Sequence, residues 1–326
     1  MNPSFVIDRT GVHGIAGRIY LFVCTVVNPN QLASDAVPAD LDTIYRYSDD
    51  DGVSWSPIES IKDKWNKPNE CGLSSPSNGI QLADGTLVFP SFIVRSKSYS
   101  SGVFFKKVDG DWTFSNMSSD GIDIQGMGDN ECAVIEYNGK VLVNCRFEGQ
   151  FVNKNLNRRV YEVDFESKRL LSHQTDRTFY PYMANQMSLA KISIPYQEFT
   201  TTKFKTVYLA TGVDNSAVFT PVWNRDRKNI TIWASLDLFT WIRVYVAWHD
   251  ATLGYSVISV KDQITPTVDQ RISLAHEYNL DSQTSIAYQD LTSIIPDIRD
   301  AVFTQLNRST EEKLNELIYK SKGWTY

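Results

Sequence analysis

The chain has 326 residues, of which 42% are hydrophobic and 12% aromatic, so it can bury a large core and is not intrinsically disordered. Its formal net charge of −6 argues against a broad nucleic-acid or anionic membrane surface. No apolar run is long enough to span a membrane as a helix, and residues 1–8 lack the basic start and apolar segment of a signal peptide.

Cysteine and histidine usage gives no sign of a metal site. The four cysteines are too few and too scattered for a disulfide scaffold: Cys24, Cys71, Cys132 and Cys145. The four histidines have no metal-ligand spacing: His13, His173, His249 and His276. We therefore expect neither a metal nor another cofactor.

Short β-rich segments separated by turn signals recur from residue 2 to about residue 295. In chain order they cover residues 5–7, 18–24, 43–47, 79–82, 86–89, 102–105, 131–147, 159–163, 206–210, 230–233, 255–260 and 271–275. Turn pairs such as Asp84-Gly85 indicate mostly antiparallel neighbours. Strands this short and evenly spaced predict an all-β domain.

An internal repeat distinguishes a propeller from a sandwich. Residues 48–55 fit the pattern Ser-x-Asp-x-Gly-x-x-Trp, and residues 235–241 are a degraded copy. In such a turn Asp50 accepts backbone N–H groups, Gly52 takes a left-handed conformation, and Trp55 covers the turn. The repeat resembles the Asp box of β-propeller blades. Asp boxes lie away from the ligand face and accompany unrelated activities, so they predict fold rather than function.

The stretch 129–147 contains the strongest hairpin signal, the Asn-Gly at 138–139. A two-residue type I′ turn there pairs Glu131 with Arg146 at the open end of the hairpin, where strands run into loops and binding sites are common. The alternative is an exposed ion pair contributing under about 1 kcal/mol. The same register allows a disulfide between Cys132 and Cys145, although we expect buried free cysteines, the commoner state.

Helical spacing appears near the end of the chain. Ile295, Ile298, Val302 and Leu306 recur on one face, and residues 309–312 form a capping box. We expect a propeller over residues 1–295 and short helices over residues 296–326. These helices either pack on the outside of the propeller or begin a linker.

Several motifs in the same order resemble those of the exo-α-sialidase (neuraminidase) family, especially trypanosomal sialidases and trans-sialidases. They are Met-Asn-Pro at 1–3, the Asp box, the Gly-Ile-Gln-Leu segment from 79, Asn-Glu at 130–131 followed by Arg146, Trp-Asn-Arg-Asp-Arg at 223–227, Gly-Tyr-Ser at 254–256 and His-Glu at 276–277. The resemblance implies a six-bladed β-propeller whose first blade is incomplete here. It also implies an enzyme that cleaves terminal sialic acids from sialylated glycans or glycoconjugates with retention, without nucleic acid as a partner.

The family's nucleophile is a tyrosine, and Tyr255 is the matching position. Sialic acid carries its carboxylate on the anomeric carbon and would repel a carboxylate nucleophile, so these enzymes are an exception among retaining glycosidases. A phenol is mostly protonated at neutral pH and needs a base to take its proton. Glu131 matches the family's base.

The resemblance also implies which residues hold the sugar. Arginine suits a carboxylate because its planar fork can bind both oxygens. Arg146 matches one member of the family's arginine triad, and the second is Arg227 in one alignment and Arg225 in another; we expect Arg227. The other positions are Asn2 near the N-acyl group, Gln186 near the glycerol tail, Glu277 beside an arginine, and Trp223, which either contacts an aglycone sugar or packs in the core.

The chain departs from the family in one respect. The family's first arginine, in an Arg-Ile-Pro motif, and its acid/base aspartate precede the Met-Asn-Pro segment with which this chain begins. Asp8 belongs to the turn after the first strand, and residues 49–51 belong to the Asp box, so neither supplies the acid. We expect a truncated or low-activity sialidase. The alternatives are a sialic-acid-binding propeller without turnover, a trans-sialidase, and a protein-binding propeller.

Overall fold

The structure, a computed structural model, describes residues 3–26, 40–62, 70–95, 98–117, 129–147, 158–176, 186–198, 200–213, 229–238, 240–248, 255–261, 270–280 and 283–304. Within these ranges almost all regular structure is β-strand, as the turn-separated segments predicted. None of the helices in the described ranges has the length and apolarity needed to cross a membrane.

The described strands form five blades of antiparallel neighbours. The first contains β1 (Ser4–Asp8), β2 (Arg18–Val26), β3 (Leu41–Ser48) and β4 (Glu59–Ser60). The second contains β5 (Glu70–Ser74), β6 (Ile80–Gln81), β7 (Leu87–Arg95), β8 (Ser98–Lys106) and β9 (Trp112–Met117). The third contains β10 (Asp129–Tyr137), β11 (Lys140–Phe147), β12 (Arg158–Asp164) and β13 (Arg169–Asp176).

The fourth blade contains β14 (Ser188–Glu198), β15 (Thr201–Val213), β16 (Ile230–Ser235) and β17 (Ile242–Trp248). The fifth contains β18 (Ser256–Val260), β19 (Ile272–Leu280) and β20 (Gln283–Asp290). The predicted β-propeller is confirmed. Among the described blades, the fifth has three strands. The two-residue strand β4, which completes the first blade, is too short to leave a pattern in the sequence.

The first strands of the blades meet at the centre. Strand β1 contacts β6 and β7, β10 contacts β7, and β14 contacts both β10 and β18. The outer strands β9 and β13 of the second and third blades also pair in parallel, which joins these blades into one sheet. Any residue at the beginning of β10, β14 or β18 therefore lies close to the central axis.

The inner strand of the second blade is interrupted by residues 75–78, which we call the axial loop. Strands β5 and β6 both pair with β7, and the axial loop leaves that ladder between them. Gly79 follows the loop at a point of close approach, because a Cβ there would lie 2.6 Å from the Val88 carbonyl oxygen and 2.7 Å from the Val6 Cβ. Only glycine fits there without a shift of the backbone.

The axial loop binds residues in, or just before, the first strands of four other blades. The Ser4 hydroxyl donates to the Ser77 carbonyl at 2.6 Å, and the Cys132 amide donates to the Ser75 hydroxyl at 3.0 Å. The Gln186 amide nitrogen donates to the Pro76 carbonyl, and the Asn78 amide nitrogen donates to the Ile258 carbonyl at 3.2 Å. These hydrogen bonds tie the blades together at the axis.

Hydrophobic clusters fill the spaces between blades. One face of the β10–β11 hairpin carries Ala133, Ile135 and Leu142 into a cluster with residues of the fourth blade. The other face carries Val134 and Val143 into a cluster with the second blade. Because both faces are buried, a one-residue slip of this hairpin would place side chains of the wrong size in both clusters.

Both Asp boxes have the predicted local geometry. Asp50 accepts the Ser54 amide at 2.8 Å, and the Trp55 indole donates to the Gly52 carbonyl at 3.0 Å. In the degraded copy, residues 235–241, the same indole-to-carbonyl bond forms at 2.9 Å. Leu238 has a φ of +65° in this copy, so it takes the left-handed position that Gly52 fills with a φ of +87°.

The chain described after β20 passes through a 3-10 turn (Thr292–Ile294) into helix α1, residues 295–304. Ile298 and Val302 lie at 0% and 1% exposure in a cluster with strands of the fourth and fifth blades. The predicted helix face is therefore the packed face, and this helix docks on the propeller. The second predicted helix and Leu306 lie outside the described residues.

Candidate active site

The hairpin turn is the type that the Asn-Gly pair predicted. Asn138 and Gly139 both have positive φ, +50° and +76°, as a type I′ turn requires. The predicted register is confirmed from Tyr137↔Lys140 to Ala133↔Asn144.

The register prediction is wrong at the open end of the hairpin. Asn130, and not Glu131, pairs with Arg146, because a β-bulge interrupts the ladder between Asn130 and Ala133. Two residues, Glu131 and Cys132, occupy the space opposite Cys145. A bulge adds one unpaired residue and re-aims the neighbouring side chains, and such features are common beside active sites.

The backbone of Glu131 has a φ of +46°, in the left-handed region. A non-glycine residue in this region costs about 1 to 3 kcal/mol, and it persists only where the surroundings hold it. Two contacts at the next residue supply that support. The Cys132 amide donates to Ser75, and the Cys132 sulfur is bonded to Cys145.

This disulfide corrects our expectation of free cysteines. Cys132 and Cys145 are bonded, and both are 0% exposed. Cys24 and Cys71 are free. The disulfide lies one residue from Glu131 on β10 and one residue from Arg146 on β11. It therefore fixes the separation of these two strands next to the charged pair.

The centre of the candidate site is a phenol, a carboxylate and a guanidinium in direct contact. The Tyr255 hydroxyl donates to Glu131 Oε1, and Arg146 Nη1 donates to Glu131 Oε2 at 2.7 Å. The Glu131 and Arg146 side chains are 8% and 9% exposed. One carboxylate therefore bridges a tyrosine and an arginine that come from different blades and are separated by more than 100 positions in the chain.

This arrangement can activate a tyrosine. One carboxylate oxygen of Glu131 is held by Arg146 and the other receives the Tyr255 hydroxyl, where a carboxylate can accept the phenol proton. A carboxylate within hydrogen-bond reach of a hydroxyl is the usual arrangement of a nucleophile with its base. Tyr255 is only half-buried, so its oxygen can be approached by a ligand.

The backbone places Glu277 beside Tyr255. Strand β18 pairs with β19 in the register Ser256↔His276, and the Glu277 amide donates to the Tyr255 carbonyl at 2.9 Å. Cross-strand partners in an antiparallel pair point to the same face. Glu277 and Tyr255 thus share one face of the fifth blade, at the same end of the propeller as Glu131.

Gln186 lies near the site but is fully buried. Its amide nitrogen donates to the Pro76 and Ser256 carbonyls, and its oxygen accepts the Ser256 amide at 2.9 Å. The side chain is 0% exposed. The expected contact of Gln186 with a glycerol tail stays a prediction, and in this structure all three of these bonds go to backbone groups instead.

Four of the predicted positions lie outside the described residues: Asn2, Trp223, Arg225 and Arg227.

Asp8 ends β1, whereas the site is built at the beginning of the first strands, so Asp8 lies at the opposite end. It binds the turn that follows, accepting the His13 amide at 2.7 Å and the Gly11 amide at 2.9 Å. The described part of the chain contains no group of three His, Cys, Asp or Glu side chains that could hold a metal ion.

Sequence reasoning missed the axial loop and the bulge. Ser75 binds Cys132, the residue after Glu131, and Pro76 binds Gln186, whose side chain also holds the residue after Tyr255. Both lie in a Ser-Ser-Pro-Ser-Asn-Gly run with the composition of an ordinary loop. The run predicts a break in the strand. Its place at the axis follows only from the assembled blades.

The fold defines a β-propeller with Asp-box turns, and comparison with known proteins gives the family. Residues 5–169, just over half of the chain, match the family described as BNR repeat-like domain, and the chain belongs to that family. A curated sialidase from Bacteroides fragilis is 28% identical over 236 residues, which cover 70% of this chain and 39% of the relative. The assignment to the sialidase family made from the motifs is confirmed.

Solved structures of sialidases share the fold. The Hadza microbial sialidase Hz136 aligns with a TM-score of 0.63 at 21% identity over 89% of this chain and 52% of its own. Trypanosoma rangeli sialidase aligns with a TM-score of 0.66 at 19% identity over 97% and 47%. The intramolecular trans-sialidase from Ruminococcus gnavus aligns with a TM-score of 0.60 at 12% identity over 89% and 77%. This chain therefore spans about half the length of the first two structures and less of the curated relative.

Proposed function

We propose that the protein is a glycoside hydrolase of the exo-α-sialidase type, which removes terminal sialic acids from glycoconjugates with retention of configuration. The observation that carries the proposal is the contact of the Tyr255 hydroxyl with Glu131, which also binds Arg146. A tyrosine beside a buried carboxylate–guanidinium pair suits a substrate that carries a carboxylate group on its anomeric carbon.

Each residue has a distinct role in the proposed reaction. Tyr255 forms a bond from its oxygen to the anomeric carbon as the glycosidic bond breaks, and the phenol proton passes to Glu131. Water then attacks the anomeric carbon as the bond to Tyr255 breaks, Glu131 returns its proton to the Tyr255 oxygen, and the proton lost by the water passes to the departed aglycone or to solvent. The sugar is released with its original configuration. Arg146 and Arg227 hold the substrate carboxylate, Arg225 being the alternative to Arg227. Glu277 matches the glutamate that steadies the remaining arginine of the family's triad, and Asn2 contacts the N-acyl group.

Asp8 lies at the opposite end of the blade from Tyr255, so it is not the group that protonates the leaving group. Loss of a general acid typically lowers the rate about 10²- to 10⁴-fold. An aryl sialoside with an acidic phenol as its leaving group needs no such proton. Activated aryl sialosides are therefore the substrates on which the nucleophile can be tested by itself.

The test is turnover of an activated aryl sialoside by the wild type and by Tyr255→Phe. We expect turnover by the wild type and its loss in Tyr255→Phe. Tyr45→Phe is the matched control, because Tyr45 also donates its hydroxyl to a glutamate, Glu59, but in the first blade. This control should retain wild-type turnover.

The other outcomes identify the alternatives. Saturable binding of sialic acid without turnover would indicate a lectin-like propeller. Transfer of sialic acid to an added galactoside in preference to water would indicate a trans-sialidase. Absence of both binding and turnover would refute the proposal and leave a protein-binding propeller.

A further inference from the structure

One buried amide side chain controls the backbone beside the proposed nucleophile. Gln186 Oε1 accepts the Ser256 amide at 2.9 Å, and Gln186 Nε2 donates to the Ser256 carbonyl at 3.1 Å. Both backbone polar groups of Ser256 are thus held by a single side chain from the fourth blade. Ser256 directly follows Tyr255, so this clamp sets where the Tyr255 backbone lies.

Further contacts hold Ser256 and Tyr255 from other sides. The Ser256 hydroxyl shares a hydrogen bond with the Thr211 hydroxyl at 3.2 Å, and the Tyr255 carbonyl accepts the Glu277 amide. Ser256 is 1% exposed. The beginning of β18 can therefore move only if several buried hydrogen bonds break, each at a desolvation cost.

The axial loop connects this clamp to the base. Pro76 accepts the second hydrogen of Gln186 Nε2, and the neighbouring Ser75 hydroxyl accepts the Cys132 amide at 3.0 Å. Cys132 follows Glu131, whose left-handed backbone needs such support. A chain of contacts thus runs from Glu131 through residues 75–76 and Gln186 to Tyr255, and the phenol–carboxylate hydrogen bond closes it.

We propose that Gln186 is a positioning residue, which aligns the Tyr255 oxygen with Glu131 by clamping Ser256 against the axial loop. This inference rests on the proposed function, because it assigns Gln186 a role in the attack of Tyr255 on the sugar. It is an alternative to the expected contact with the glycerol tail. Both hydrogens of the Gln186 amide nitrogen bind backbone carbonyls, and the side chain has no exposed surface.

The probe for this proposal is a 2,3-difluorinated sialic acid, whose anomeric fluoride leaves without a proton. Attack forms the bond from Tyr255 to the anomeric carbon, breaks the carbon–fluorine bond and passes the phenol proton to Glu131. The mass gained by the protein measures this step alone. Labelling at increasing probe concentrations separates the maximal labelling rate from the half-saturating concentration.

The first variant is Gln186→Leu, which keeps a similar volume but none of the hydrogen bonds. We expect the maximal labelling rate to fall about 10- to 100-fold, since small misplacements of reacting groups have effects of this size. The half-saturating concentration should change by less than about 2-fold, because the residue does not touch the ligand. Unchanged labelling of a folded Gln186→Leu protein would overturn the proposal.

The matched control is Gln270→Leu. Gln270 is a buried glutamine, 3% exposed, whose Oε1 accepts the Ser193 amide at 2.7 Å away from Tyr255. We expect a comparable loss of thermal stability with unchanged labelling. If Gln270→Leu lost labelling to the same extent as Gln186→Leu, general destabilisation would explain both results and the positioning role would be refuted.

The second variant is Gln186→Glu, which gives a pH signature. A protonated carboxyl can donate to Pro76 and accept from Ser256, whereas a carboxylate would face two carbonyl oxygens and be repelled. Labelling relative to the wild type should therefore be high near pH 5 and fall as the pH rises towards 9. A ratio independent of pH over this range would contradict the clamp.

A probe with a shortened glycerol tail distinguishes positioning from direct contact. If Gln186 positions Tyr255, the Gln186→Leu defect persists with the shortened probe. Disappearance of the defect would restore the tail-binding role and overturn the proposal. Failure of the wild type to react with either probe would instead refute the proposed function itself.

Discussion

Removal of the disulfide between Cys132 and Cys145 tests how the hairpin holds Glu131. The bond joins residues separated by 13 positions, and the chain-entropy relation for a loop of this size gives about 3 kcal/mol at 25 °C. We expect the double variant Cys132→Ala/Cys145→Ala to lose about 2 to 3 kcal/mol of unfolding free energy, since the type I′ turn already brings the strands together in part of the unfolded ensemble.

Urea unfolding followed by tryptophan fluorescence measures this free energy. The control is Cys24→Ala/Cys71→Ala, which removes two sulfurs that form no cross-link and so reports the loss of packing and of thiol hydrogen bonds to Ser74 and Leu41. If the disulfide variant were no less stable than this control, the entropic argument would fail.

The same variant should lose more activity than its unfolded fraction explains. Without the cross-link, residue 132 keeps its packing and its hydrogen bond to Ser75 but loses its covalent bond to the partner strand, so the backbone of Glu131 can relax from its positive φ to an ordinary extended conformation. Labelling by the fluorinated probe, measured where the variant is fully folded, should therefore be slower than in the control. Equal labelling rates would show that the disulfide stabilises the fold without positioning the base.

Three further predictions concern single residues. Gly139→Ala should lower the free energy of unfolding in urea by about 1 to 2 kcal/mol, because an alanine is strained at a φ of +76°. The cost is backbone strain alone, since no neighbour lies within 4 Å of an added Cβ. Asn138→Gly, at the adjacent left-handed position, should not destabilise the protein. Burial opposes ionisation of Asp8, but hydrogen bonds led by the His13 amide hold its pKa below the ordinary value, so its stabilisation is complete above about pH 4 and is lost as the pH falls through the lower folded pKa. Asp8→Asn should thus lose about 2 kcal/mol at pH 7 and flatten the acid limb of a stability–pH curve, and an unchanged limb would contradict this. Burial raises the pKa of the Cys71 thiol to about 12, so iodoacetamide at pH 8 should leave Cys71 unmodified in the native protein and modify it rapidly in urea, as intact-mass analysis would show.

Much of the fold was readable from local patterns. The Asn-Gly turn, the Asp boxes and the helical spacing of Ile298 and Val302 are signals carried within a few residues, and each has the predicted geometry. The two-residue strand β4 left no such signal. Strand alternation needs several residues before it can be distinguished from a loop.

The candidate site was predictable only in part. Glu131 and Arg146 are near neighbours in a hairpin, so their contact followed from turn geometry, although the bulge altered the path. Tyr255 comes from another blade, and only the resemblance to sialidases pointed to it. The roles of Ser75 and Gln186 could not be predicted, because hydrogen bonds between distant backbones depend on how the blades meet.

The axial loop has a consequence for the order in which the protein forms. Residues 75–78 are synthesised long before Gln186 and Ile258, which bind Pro76 and Asn78. Until the later partners arrive, these polar groups must stay hydrated, and the nascent early sheets lack their anchor. The hydrogen bonds around residues 75–78 can therefore be completed only after synthesis has passed residue 258, because one of them joins the second blade to the fifth.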